Sequence, residues 1–527
     1  MIPNKLLLTT VLFFLFNLLV AQNPTVKWFF DTKSFSAGMA AAADLDGDGK
    51  HEIVFGCYRN DGGIYALNAE DGSLLWSFFP NVPPDEGCND VAPLIYDVNI
   101  DGQVEVIIAS SCTPKTFCLN GKTGQIIWQA NTKGSDSPPT IADLNNDGKL
   151  EILHGEFLGW VRCLDAESGA LLWNLPVDLN SWIQTAPTIV DVNDDGQLDF
   201  VVGTWEFDNM DSLYAFNGKT REKIWSIPIH GHIYHGTAIA DFDNDQKPEL
   251  LVGSYNSNLY CINGEDGTIE WTYQGPGAVS APAVVGDIDN DGECEVVFTS
   301  WYKVIALNHD GSLKWEYDEP GSSYNFRGVV LSDINGDEFL DVLFGTYAGE
   351  FIALNGKDGS EIFNMDVAAQ YGKSPFDINH APLIADFDGD GMLEAFFVGG
   401  WGVSSPTIKN NYGRAYMVNL GTGNGPDWLM FQHDARRQST MCYDYTTGTE
   451  QTIVNHPSKA LPIYPNPAVD FINIPKNTKT LEIINTLGKT LWKETYFSKD
   501  KIEVSQFSNG IYFLKTDTDF YKFLILR

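Results

Sequence analysis

The sequence predicts an all-β chain: an eight-bladed β-propeller followed by a small C-terminal β-sandwich. Three observations predict it. An acidic motif recurs eight times, four short strand patterns lie between successive copies, and the composition changes near residue 440. The motif reads Asp-x-Asp/Asn-x-Asp-x-x-x-Asp/Glu and opens at Asp44, Asp97, Asp143, Asp191, Asp241, Asp287, Asp333 and Asp386, at intervals of 53, 46, 48, 50, 46, 46 and 53 residues. A period of about 40–50 residues, without helical amphipathicity, is the signature of propeller blades.

The four strands of a blade can be read in order. An apolar stretch precedes each motif, as in SAPAVVGDI, and a β-rich run follows it, as in ECEVVFTSW. Then come a short strand such as KVIALN, a turn, and a strand carrying an aromatic residue, as in SLKWEY. Glycines at 72, 124, 267, 311 and 359 supply the positive φ that a tight hairpin requires. The strand-four aromatic recurs as Trp76, Trp128, Trp173, Trp225, Trp271, Trp315 and Phe363. Its eighth copy is Trp28, ahead of the first motif. An N-terminal strand is therefore expected to complete the last blade and remove both sheet edges, with Trp428 the competing candidate.

Around this ring the chain divides simply. Residues 1–21 read as a secretory signal, with Lys5 before the apolar run Leu6–Val20 and a small Ala21 before the cut. Residues 22–442 form the propeller, 443–460 a linker and 461–527 a C-terminal domain. No segment of the mature chain reads as a membrane span. The formal charge of −37 opposes binding to nucleic acid or anionic membranes and favours metal cations. Of eight cysteines, Cys118, Cys163 and Cys261 stand where other repeats carry Ala, which reads as buried packing. Cys57, Cys88 and Cys112 fall in loops on one face, where a single bridge is expected.

The acidic loops have the donor spacing for calcium, which takes six to eight hard oxygen ligands. The candidate ligands are Asp44, Asp46, Asp48 and Glu52; Asp97, Asn99, Asp101 and Glu105; Asp143, Asn145, Asp147 and Glu151; and Asp191, Asn193, Asp195 and Asp199. They continue with Asp241, Asp243, Asp245 and Glu249; Asp287, Asp289, Asp291 and Glu295; Asp333, Asn335, Asp337 and Asp341; and Asp386, Asp388, Asp390 and Glu394. Alternating side chains converge, a glycine turns the chain, and a final acid closes the site. Gln246 and Glu338 replace that glycine, so those two loops are expected to be weaker or distorted.

The opposite face offers ligand-binding candidates. An aromatic follows the second strand in seven blades, among them Trp205, Trp301 and Trp401. So regular a feature reads first as inter-blade packing; stacking on sugar rings is the functional alternative. The loops there are irregular and polar, and include Arg327, Lys373 and His380. The segment HGHIYH brings His230, His232, Tyr234 and His235 together in sequence, a pattern suited to zinc or acid–base chemistry, though no fourth metal ligand is identifiable. Convergence of His235, Arg327, Lys373 and His380 at the channel mouth would favour an enzyme.

The acidic loops resemble FG-GAP (VCBS-type) calcium repeats. ALNGKDGSEIF and CINGEDGTIEW resemble pyrroloquinoline-quinone-type propeller repeats, and WLMFQHDARRQS resembles the closing segment of such propellers. The adjacent Cys pair of the quinone enzymes is missing, so that cofactor is not expected; calcium is. At the C-terminus, YPNPAVDFINI, TLEIINTLGKTLWKE, VSQFSNGIYFLKT and YKFLILR resemble the type A sorting domain of the type IX secretion system. That resemblance implies handling by the type IX secretion machinery, removal of the domain, and a secreted or cell-surface location. The expected function is a calcium-binding adhesion module for a glycan or surface protein. The alternative is a polysaccharide-degrading, lyase-like enzyme on the same scaffold.

Overall fold

The computed structural model describes residues 24–80, 87–206, 211–243, 245–320, 328–403 and 407–442, together with the strands of the C-terminal unit within 471–525. The expected signal segment 1–21, the linker 443–460 and Arg327 lie outside the described residues.

Eight antiparallel sheets make up the propeller, seven with their strands paired in sequence order and the eighth completed by the N-terminal strand. Blade 1 runs through Ala41–Ala43, Glu52–Gly56, Ile64–Asn68 and Leu74–Phe78. The innermost strands are only three or four residues long, shorter than the sequence pattern suggested, and buried apart from the half-buried Tyr96. Second strands are buried on both faces, as in Glu52–Gly56 and Glu295–Ser300, because neighbouring blades cover them from either side. Fourth strands alternate, with the aromatic inward and polar or exposed residues outward, as in Leu313–Asp318.

Trp28 wins the closing place. Its strand, Thr25–Thr32, pairs with Tyr412–Gly421, which pairs with Leu393–Trp401, so the N-terminus supplies the fourth strand of blade 8. Each indole then docks on the following blade. Trp28 Nε1 donates to Ala69 O at 2.7 Å, Trp76 to Gly121 O at 2.6 Å, Trp225 to Gly264 O at 2.7 Å and Trp315 to Gly356 O at 2.6 Å. The hairpin glycine of that next blade lies flat on the ring: a Cβ on Gly72 would stand 2.6 Å from Trp28, and one on Gly124 2.6 Å from Trp76. Their φ values of 72° and 65° add a second reason for glycine.

Trp428, the rejected candidate, lies on the axis. The segment from Gly425 to Met441 threads the ring and bonds to the inner strands or their flanks. Ala42 N donates to Leu429 O, Ile141 N to Ala435 O, Ile189 N to Arg436 O, Ile239 N to Gln438 O and Val285 N to Ser439 O. Asp333 N and Ile384 N donate to Gly425 O and Trp428 O. Blade 2 is reached by Arg437, fully buried, whose guanidinium donates to Pro93 O, Pro139 O and Phe431 O. Burial lowers its pKa to about 10, and the carbonyls satisfy its donors.

Two disulfides are present. Cys88–Cys112 is the bridge expected among the three loop cysteines, while Cys57 is buried and reduced. Cys294–Cys442 was not anticipated; it ties the end of the axial segment to the acidic loop of blade 6. Cys118, Cys163 and Cys261 are buried thiols, as expected.

The C-terminal unit is separate and all-β. It has a four-stranded sheet ordered Thr490–Thr495, Thr480–Asn485, Gly510–Lys515, Phe520–Ile525, and a two-stranded one of Phe471–Asn473 with Lys501–Glu503.

If Trp28 holds the ring shut, Trp28→Ala lowers the unfolding free energy by about 3–5 kcal/mol. Urea denaturation measures it; a loss under about 1 kcal/mol would contradict closure through this residue.

Candidate functional site

All eight acidic loops share one hydrogen-bond pattern among the described residues. The first Asp accepts from the backbone N–H five residues on: Gly49 to Asp44 at 3.0 Å, Gly102 to Asp97 at 2.7 Å, Gly196 to Asp191 at 2.7 Å and Gly391 to Asp386 at 2.9 Å. The third acid accepts two residues on, as Lys50 N to Asp48 and Gln103 N to Asp101. The closing acid folds back beneath the loop onto its second residue, as Leu45 N to Glu52 Oε2 at 2.7 Å and Val192 N to Asp199 Oδ2 at 3.2 Å.

The expectation of distortion at Gln246 and Glu338 is not met. Both hold φ of 72°, and both N–H groups reach the first Asp at 3.0 Å. The glycine conformation is kept, with a non-glycine residue in the left-handed region.

Carboxylate oxygens come within 4.8 Å of one another in five loops. The trios are Asp44, Asp46, Asp48; Asp143, Asp147, Glu151; Asp241, Asp243, Glu249; Asp287, Asp289, Asp291; and Asp386, Asp388, Glu394. The loops opening at Asp97, Asp191 and Asp333 carry Asn at the second ligand position and form no such trio among the described residues.

Every closing acid is buried, at most 3% exposed. Burial pushes Glu52, Glu105, Glu151 and Asp199 up to about 7, and Glu249 and Asp341 up to about 8. Glu295 and Glu394 are also raised by burial, against the opposing pull of Lys314 and Lys27. Negative charge at these positions is costly without a cation.

On the opposite face the candidates separate into two surface groups and two buried histidines. Trp205 stacks on His232 with ring centroids 4.3 Å apart and planes 3° from parallel. Tyr234 and Tyr255 meet Trp205 edge-on at 5.2 and 5.1 Å. His232 Nδ1 faces the fully buried Asp211 carboxylate at 3.2–3.3 Å, and its Nε2 has no hydrogen-bond partner among the described residues. The row extends through Trp182, paired with Trp205 across a two-stranded ribbon, to Phe157 at 4.8 Å.

Around blade 8, Lys373 lies 4.6 Å over Tyr412, which stacks on Tyr371 and neighbours Trp401 at 6.1 Å. Trp301 is 54% exposed, so the aromatic position after strand two is not uniformly inter-blade packing.

His230 is exposed in a left-handed turn, whereas His235 is buried against Tyr234 and Phe431. His380 is buried, with Nδ1 on Ala381 O and Nε2 accepting from Val398 N. The three histidines of HGHIYH thus have different surroundings. Asp211 escaped the sequence reading. Its only signal is a position two strands ahead of the histidines.

Residues 26–146 and 209–452 match the family described as outer membrane protein assembly factor BamB, which is more than half of the chain. The chain belongs to the BamB family. Residues 462–524 of this BamB-family chain match the secretion system C-terminal sorting domain, the type IX kind, which marks a protein secreted or held on the outer surface.

Relatives among curated proteins include quinone alcohol dehydrogenase subunits of Gluconacetobacter polyoxogenes and Komagataeibacter europaeus. Each is 25% identical over 179 residues, covering 29% of this chain and 21% of the relative. The chain thus spans about a fifth of the length of the curated relatives it matches.

Similar folds include the V. cholerae biofilm matrix protein Bap1, at TM-score 0.57 and 16% identity over 79% of this chain and 95% of that one. Another is the quinohemoprotein alcohol dehydrogenase ADHIIG of Pseudomonas putida HK5, at TM-score 0.52 and 14% identity over 76% and 77%. No helix among the described residues is long and apolar enough to cross a membrane.

Because the closing acids of this BamB-family propeller have folded pKa values above their unfolded ones, the metal-free fold takes up protons. Its stability is greatest on the acid side and falls as pH rises through the folded values. In chelating buffer, the thermal midpoint is expected to drop between about pH 5 and about pH 8. A midpoint that holds or rises across that interval would contradict the assignment.

Proposed function

We propose that this secreted propeller is a calcium-loaded binding module that engages glycan chains through the face opposite its acidic loops. One observation carries the ligand reading: the half-buried row Phe157, Trp182, Trp205, His232 and Tyr255, whose central histidine is anchored by Asp211 and keeps Nε2 for a partner. Flat aromatic surface suits the C–H faces of pyranose rings, and an oriented imidazole supplies a directional hydrogen bond beside it.

Calcium is supported by the eightfold recurrence of the acidic motif over a buried closing acid, with carboxylate oxygens converging in five of the loops. Residues 44, 46, 48 and 52, and their counterparts, would hold it. The ion supplies charge neutralisation there, and the chain's own N–H groups fix the carboxylates in place beforehand.

The occupied axis favours a binding role. The segment 425–441 runs along the axis bonded to the inner strands, and a small void lies beside it, lined by Met39, Trp428, Phe431 and Gln432 among others. One observation favours the lyase alternative: an Asp-anchored histidine with an accessible nitrogen is the arrangement of a general base.

Two measurements test the proposal. EGTA is expected to lower the melting temperature of the full chain at neutral pH, and an unchanged curve counts against calcium. On a glycan array, Trp205→Ala is expected to weaken binding about tenfold or more, a loss of about 1.4 kcal/mol. Unaltered binding by that variant would remove the site, and release of unsaturated, ultraviolet-absorbing sugars would replace the binding role with the lyase.

A further inference from the structure

Two of the eight acidic loops already hold a cation, and the chain supplies it. In blade 8, Lys27 Nζ lies 2.7 Å from Asp388 Oδ2 and 2.8 Å from Glu394 Oε1. In blade 6, Lys314 Nζ lies 2.5 Å from Asp289 Oδ2 and 3.1 Å from Glu295 Oε1. The oxygens are equivalent in the two loops, being those of the second ligand position and the closing acid.

Both lysines also occupy one place in the repeat, immediately before the strand-four aromatics Trp28 and Trp315. At that place the other blades carry Leu75, Ile127, Leu172, Ile224 and Ile362, which offer no charge, and Glu270, which adds a carboxylate beside Glu249.

These are not loose surface pairs. The lysine side chains are 18% and 14% exposed, and the glutamates 0% and 2%. In each glutamate the second oxygen is already taken by a backbone donor, Phe387 N in one and Ile288 N in the other. The ammonium thus claims the oxygen that a metal needs from the closing acid.

Lysines elsewhere near the loops do not do this. Lys50 and Lys247 turn outward to Glu70 and Glu265, and Lys122 donates to the backbone carbonyl of Asp46. A divalent ion entering blade 6 or blade 8 would stand beside a fixed positive charge and compete with it for the same two carboxylates.

We propose that Lys27 and Lys314 are built-in counter-ions that make the loops of blades 8 and 6 metal-independent, leaving six loops for calcium. This rests on the calcium reading above. It has a consequence for assembly. Lys27 belongs to the N-terminal strand that closes the ring, so the closing blade is neutralised as soon as that strand docks and does not wait for calcium.

The test is the number of saturable calcium sites on the full chain, measured by equilibrium dialysis with radioactive calcium at physiological salt. Wild type is expected to bind six ions. Lys314→Met, which removes the charge and keeps the length of the side chain, is expected to gain one, and Lys27→Met likewise. Ile127→Lys, which places the same ammonium over blade 2, is expected to lose one. If Lys27→Met does not fold, Lys314→Met and Ile127→Lys decide the matter, since neither touches the closing strand. Eight sites in wild type, or no gain in Lys314→Met, would overturn this proposal and leave calcium binding standing. No saturable site in any variant would overturn the calcium reading itself.

Discussion

A carboxylate buried beneath each acidic loop is the constraint on which the rest of the propeller turns. It accepts a backbone N–H from the loop above, which fixes the loop's shape, and it sits where the second strand enters the blade core. The position is structurally necessary and electrostatically unfavourable at once, because burial disfavours the charged form that the loop geometry uses. The chain needs a positive partner at this point. In two blades a lysine of the chain lies against it; on the proposed reading the other blades take an external ion.

That demand is compatible with a closed disc because the remaining contacts are stiff. The indoles of Trp28, Trp76, Trp128, Trp225 and Trp315 each lie on the next blade's hairpin glycine and donate to its backbone, so those neighbouring blades are fixed by shape and by a hydrogen bond together. The axial segment then bonds to the inner strands, with the Cys294–Cys442 bridge at its end. With the axis and the loop face committed to structure, the opposite face is left to present Trp205, His232 and their neighbours. On the proposed glycan reading, recognition takes place on a surface rather than in a channel.

Much of this was legible in the chain itself. Eight spaced acidic motifs gave the blade count, and Trp28 standing before the first of them gave the closure. Both depend on local pattern repeated at a fixed period. The plug was not legible, because residues 425–441 have no repeat and their bonds run to strands hundreds of positions away. Cys442 pairs with Cys294 across a separation of 148 residues, which no spacing rule anticipates. The histidines show the opposite failure. Their closeness in sequence suggested a cluster, but the left-handed turn at His230 and the burial of His235 send the three side chains apart, and the partner that matters, Asp211, sits 21 residues upstream of His232. Lys27 and Lys314 went unread in the sequence, because nothing in the chain alone gives the loop carboxylates they meet.

The most direct measurement is anomalous X-ray scattering from crystals of the full chain grown in calcium. The account predicts a peak in the first loop, bound by Asp44, Asp46, Asp48 and Glu52 at about 2.3–2.6 Å. Carboxylates separated by water, with no anomalous peak among them at saturating calcium, would contradict it.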